Sequence, residues 1–167
     1  MNSHSDSATF QNLESLQPKI VRVWRLKTGA WLTVFVVAAL IYDVLNFFDT
    51  EKFLPFGVIP AVLLSTGLSF GFWITGLRYS TWRYALRPDE LVLVRGVFNR
   101  VFTIVPLRRI QHLDVSQDIF EREYDLGKLI IHTAGTRSSE VILPGLAIEE
   151  AERLRDEMKK VITDEAL

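Results

Sequence analysis

Two apolar stretches, Gly29–Phe48 and Leu54–Leu77, constrain this chain more than any other feature. Each is close to the ~20 residues that carry a helix across the hydrocarbon core of a bilayer. The connection between them is short, so the expected arrangement is a helical hairpin in the membrane. A buried helix of a large soluble core would need a partner domain to cover it, and a chain of 167 residues has none to spare. Three parts are therefore expected: an N-terminal segment over 1–27, two spans within 28–78 (about 29–48 and 54–77), and a soluble domain over 79–167. The first stretch begins late for a signal peptide, and Asp43-Val44-Leu45-Asn46-Phe47-Phe48 stands where a small-residue cleavage site would be.

Charge sets the expected orientation. Lys19, Arg22, Arg25 and Lys27 precede the first span, and Arg78, Arg83 and Arg87 follow the second. The connecting Asp49-Thr50-Glu51-Lys52 is net acidic. The positive-inside rule then puts both termini in the cytoplasm and the connection outside. Trp24 and Trp31 match Trp73, Tyr79 and Trp82 at one interface, while Tyr42, Phe47, Phe48 and Phe53 gather at the other.

Within the second span, Ala61, Ser65 and Ser69 recur every four residues, as do Gly67 and Gly71. Small residues at that spacing allow close helix approach, to the first span of the same chain or to a second copy. Pro55 suits a first helical turn, and Pro60 is expected to bend the helix. Asp43 is an intramembrane carboxylate, either an ion- or proton-handling group or a residue near enough to the outer end to reach the headgroups. Leu13, Leu16, Ile20 and Val23 or Trp24 follow at helical spacing among basic residues, the pattern of an amphipathic segment lying in the interface.

From Thr81 the period changes from helical to alternating. Runs over 81–87, 91–95, 100–105, 110–115, 128–134 and 139–143 are rich in β-branched and aromatic residues and separated by turn signals. Pro144-Gly145 then closes the sheet region, and Ala147, Ala151, Leu154, Met158 and Val161 mark an amphipathic helix. The expected fold is thus a two-helix transmembrane hairpin followed by antiparallel bent sheets, a partly open barrel closed by a C-terminal helix.

Several runs resemble a known family. Tyr84-Ala85-Leu86-Arg87-Pro88-Asp89-Glu90-Leu91 with Arg95-Gly96-Val97, then Val105-Pro106-Leu107-Arg108-Arg109-Ile110-Gln111-His112-Leu113-Asp114-Val115, Ile131-His132-Thr133-Ala134-Gly135-Thr136 and Leu143-Pro144-Gly145-Leu146, are similar to the bacterial pleckstrin-homology-like domain of the second type. With Trp24-Arg25 and two preceding spans, the combination resembles the YdbS-like membrane proteins. The resemblance implies a pleckstrin-like fold on a membrane hairpin and no particular activity. Family members often have Gly near Asp125; here Gly127 is read as the shifted glycine of that turn. Eukaryotic relatives in fold bind phosphoinositides through a basic first turn, whereas Pro88-Asp89-Glu90 is acidic, so that site is not carried over.

The chemistry available is limited. The net charge of −1 gives no field for nucleic acid, and the absence of cysteine excludes thiolate chemistry and disulfides. His112, His132 and Asp114 form a sparse set, structural or ligating; Ser116, Ser138 and Ser139 have no evident base, and no phosphate-binding glycine loop occurs. No metal, cofactor or enzymatic activity is expected. Arg108 and Arg109 sit at a break between strands and, with Arg100, Arg122 and Arg137, could form a basic rim for a partner or an anionic headgroup; Arg109 could equally pair with Asp114, Glu121 or Asp125. The leading expectation is a binding or assembly module of the bacterial inner membrane, acting through a membrane protein of the same domain family or a second copy. The alternatives are an anionic-lipid-binding, envelope-protecting component and a small transporter subunit resting on Asp43.

Overall fold

A computed structural model describes residues 13–47, 54–134 and 140–164. The expectations for residues 1–9, the connection over 49–52, the turn at 135–137 and Arg137 lie outside the described residues. The chain divides into two compact units: Val21–Leu77, and Arg78 onward together with the segment up to Ile20.

The first unit is the hairpin. Helix α1 spans Ile20–Leu45 and helix α2 spans Val58–Thr81. At 1.5 Å per residue, helices of 26 and 24 residues are about 39 and 36 Å long, enough to cross a bilayer. Their apolar side chains are largely exposed, including Val34, Phe35, Ile41, Phe70 and Phe72, as helices facing lipid require. Pro60 is the third residue of α2, in the first turn, where a missing N–H costs nothing. The expected bend there is thereby corrected. Gly67 faces Leu32 and Gly71 faces Thr28, whose Cγ2 would lie 2.9 Å from an added Cβ. Near the same level the Arg25 guanidinium lies 4.4 Å from the centre of the Phe72 ring.

The second unit is built mainly of strands. Strands β1 (Glu14–Ser15), β2 (Arg83–Leu86), β3 (Glu90–Arg95) and β4 (Val101–Pro106) form one antiparallel sheet in that order. A single 3₁₀ turn, Leu107–Arg109, leads into β5 (Ile110–Ser116), which pairs with β6 (Leu126–Thr133) and β7 (Glu140–Ala147) in a second sheet. The sheets do not close into a barrel. Short helix α3 (Ile119–Glu123) joins β5 to β6, and α4 (Ile148–Asp164) ends the described chain. Leu91, Leu93, Leu107, Leu129, Ile131, Leu143 and Leu146 are almost completely buried, and Ala151, Leu154 and Met158 of α4 bury one face at helical spacing. Each such Leu or Met contributes about 1.5–3 kcal/mol on burial.

Three local differences from the sequence expectation have clear causes. Glu14-Ser15 is a strand where an amphipathic helix is expected, because the backbone opposite Arg83-Tyr84 offers a sheet edge. The helical period of Leu16 and Ile20 arises instead from two separate burials in the domain, at 1% and 0% exposure. Asp118 opens α3 with a capping box: its carboxylate accepts from the Glu121 N–H, and the Glu121 carboxylate accepts from the Asp118 N–H, each at 3.0 Å. Asp125 itself takes the left-handed conformation (φ 55°), so the turn keeps its register without a shifted glycine.

Strand β1 also brings Glu14 opposite Tyr84, which is only 4% exposed. Burial, followed by the hydrogen bond and charge of Glu14, pushes the Tyr84 phenol well above its ordinary value of 10.0. The folded state therefore resists losing that proton. Its contribution is fully present below about pH 10 and falls by about 1.4 kcal/mol per pH unit above it. Alkaline melting curves of the full chain should show this slope. Tyr84→Phe should flatten it, and equal slopes in the two proteins would contradict the assignment.

Candidate functional site

The expected basic residues occupy different ends of the domain. The register fixes this for the first sheet: Arg83 pairs with Val94 and Arg95 with Val101, whereas Leu86 pairs with Leu91 and Glu90 with Pro106. Arg100 therefore lies at the end where the chain enters from α2. Arg108 and Arg109 lie at the other end, about 20 Å away along six-residue strands. Arg122 sits on α3, beyond the end of the second sheet marked by Ser116 and Leu126. All four are exposed, and none forms an ion pair among the described residues. The structure brings Arg108 and Arg109 together and separates them from Arg100 and Arg122. Two of the three carboxylates considered for Arg109 are engaged elsewhere: Asp114 with histidines, and Glu121 with the Asp118 N–H and, at 3.9 Å, Lys128.

The small-residue stripes also separate. Gly67 and Gly71 turn toward α1, while Ala61, Ser65 and Ser69 are exposed. The Ser65 and Ser69 hydroxyls donate to carbonyls of their own helix, Val62 O at 3.1 Å and Ser65 O at 2.8 Å. The reason is angular: positions 65 and 67 differ by about 200° around a helix, so the two series lie on opposite faces.

Asp43 is buried, and its Oδ2 accepts a 2.8 Å hydrogen bond from the Gly57 N–H just ahead of α2. The last turns of α1 thus supply an anion to the start of α2, where unsatisfied N–H groups and the helix dipole favour one.

His112 and His132 are cross-strand partners on β5 and β6, and Asp114 lies two residues along from His112 on the same face. The Asp114 carboxylate meets both imidazoles: Oδ1 is 2.8 Å from His112 Nε2 and Oδ2 is 3.3 Å from His132 Nε2. All three side chains are substantially exposed, so each contact adds about 0–1 kcal/mol. Both nitrogens are directed at the carboxylate. Among the described residues, no His, Cys, Asp or Glu group is arranged to hold a metal ion.

Two features escaped the sequence. One is the edge strand β4, with Val101 40%, Phe102 49% and Ile104 52% exposed; in the sequence it is indistinguishable from the buried β3. The other is a pair of apolar residues in connections, Phe98 and Ile119, at 83% and 86% exposure. A Phe and an Ile between strand runs are the available signal.

Two apolar helices leading into a domain of two antiparallel sheets and a closing helix define a membrane-anchored pleckstrin-like protein. The chain belongs to the bacterial PH domain family, whose model matches residues 30–162. It is 32% identical over 157 residues to the UPF0699 transmembrane protein YdbS of Bacillus subtilis (strain 168), covering 93% of this chain and 97% of that one. It is also 29% identical over 92 residues to the UPF0699 transmembrane protein YdbT of the same organism, covering 53% of this chain and 19% of YdbT. No solved structure matches the chain. With two candidate spans and a relative named as a transmembrane protein along nearly its whole length, the chain is a membrane protein.

Proposed function

We propose that this protein is a binding and assembly module of the bacterial inner membrane, whose cytoplasmic domain docks a pleckstrin-like domain of a second membrane protein, another family member or a second copy. The observation that carries this reading is the outer strand β4. Among the described residues it is the outermost strand of the first sheet, with Val101 exposed opposite Arg95 and, on the other face, Ile104 exposed opposite the buried Val92 of β3. Exposed apolar side chains on an outer strand suit an apolar contact with another chain. Tethering confines both partners to one bilayer, so a modest interface suffices. The pairing of β1 with β2 supports the orientation, since it holds the chain on both sides of the hairpin in one domain, and the flanking positive charges favour the cytoplasm.

The lipid reading through Arg108 and Arg109 is less favoured, because they lie at the end of the first sheet farther from the point where the chain leaves the membrane. A photocrosslinking amino acid at Ile104 of the full-length protein in cells tests the choice. A discrete protein adduct from position 104, absent from a control at Glu152 and lost when Val101→Lys is added, is the expected result. No protein adduct from position 104 would overturn the assembly reading.

A further inference from the structure

Phe98 and Ile119 are the most exposed large apolar side chains among the described residues, at 83% and 86%, above any in the spans, where Leu45 reaches 77%. Each belongs to the soluble domain, and each lies near a point where that domain joins a span. In the first sheet, Arg83 follows directly on α2 and pairs with Val94, while Arg95 pairs with Val101. The β3–β4 turn carrying Phe98 is therefore at the entry end, about two strand spacings, or ~10 Å, from Arg83. In the second sheet, Gly145 accepts a 2.9 Å hydrogen bond from the Gln17 N–H, three residues ahead of the start of α1. Gly127 pairs with Leu146 beside it, and Ser116 pairs with Lys128 on the next strand, so α3 and its Ile119 and Phe120 extend from that same end.

The turn that presents Phe98 is tightly built. Gly96 has φ 112°, and a side chain there would run into the carbonyl oxygen of Asn99. The exposed cations Lys19 and Arg100 lie at these two ends, without a carboxylate partner among the described residues. On α3, Arg122 stands among Asp118, Glu123 and Asp125, so this part of the rim is apolar and acidic. Phe98 beside Arg100, with Lys19 at the other joint, matches an interface of acyl chains beneath anionic headgroups.

We propose that the β3–β4 turn and α3 form a bilayer-contacting rim, in which Phe98, Ile119 and Phe120 dip into the interface of the membrane that holds the hairpin. The rim is separate from the outward face of β4 and lies opposite the Arg108–Arg109 end of the first sheet. It gives the domain a second hold on the membrane besides its two covalent joins, restricting the tilt at which the β4 edge is offered.

The absence of cysteine makes the test direct. Phe98→Cys, Ile119→Cys and, at the acidic β2–β3 turn, Asp89→Cys each provide one site for an environment-sensitive nitrobenzoxadiazole label. The full-length protein is placed in nanodiscs of phosphatidylcholine and phosphatidylglycerol. Labels at 98 and 119 should emit at shorter wavelength and be quenched several-fold more by doxyl-labelled phospholipid than by aqueous iodide, with the reverse at 89. Iodide quenching at 98 and 119 equal to that at 89 would overturn the rim. Shielding from both quenchers would overturn it equally, since protein would then be the cover.

Discussion

Gly145→Ala is expected to destabilise the domain by about 2–5 kcal/mol. Two costs combine. Gly145 has φ 68°, where a side chain costs about 1–2 kcal/mol. An added Cβ would also lie 2.8 Å from Ile20 Cγ1 and 2.9 Å from Ile20 Cβ, with Ile20 fully buried. Relieving that overlap costs about 1–3 kcal/mol. It also strains the Gln17 N–H to Gly145 O hydrogen bond that holds the segment before α1 to β7. Chemical unfolding of the full chain in detergent measures the loss, and faster proteolysis at the N-terminal segment should accompany it. In an Ile20→Gly background, which removes Cβ as well as Cγ1, the steric part disappears and only the conformational part persists. An equal penalty in both backgrounds would show that Ile20 is not the obstacle.

Asp43→Ala should weaken the hairpin by about 2–3 kcal/mol, the scale of a hydrogen bond to a charged group whose partner is left unsatisfied. The carboxylate meets the Gly57 N–H at 2.8 Å and sits where the α2 dipole favours an anion. Asp43→Asn keeps an oxygen acceptor and loses the charge, so it should recover part of the loss. Unfolding by sodium dodecyl sulfate from mild detergent, followed by helicity, compares the three proteins. Unchanged stability in Asp43→Ala would remove the clamp as the reason for a buried carboxylate and return weight to an ion-handling role.

Much of this architecture is legible in the residues because it depends on local pattern. The spans follow from apolar length, the strands of the domain from alternation, and the buried face of α4 from Ala151, Leu154 and Met158. The α3 helix is equally legible in the Asp118–Glu121 capping box. Asp125 shows the limit of glycine spacing as a guide, since an aspartate occupies the left-handed position and Gly127 packs against Ile148.

The site is less legible, because a site is a matter of which ends of strands meet. Five arginines in one sequence carry no information about register, and the pairing of Arg95 with Val101 and Glu90 with Pro106 separates Arg100 from Arg108 and Arg109. The same holds for β1: Glu14-Ser15 is too short to register as a strand, and Tyr84 supplies the partner of Glu14 from seventy residues away. Apolar length and alternation are properties of neighbours along the chain, so they made this a membrane hairpin bearing a β-rich domain before any contact was known. Exposure of Phe98, Ile119 and the β4 edge depends on what packs over them, and only the tertiary fold decides which apolar residues go uncovered.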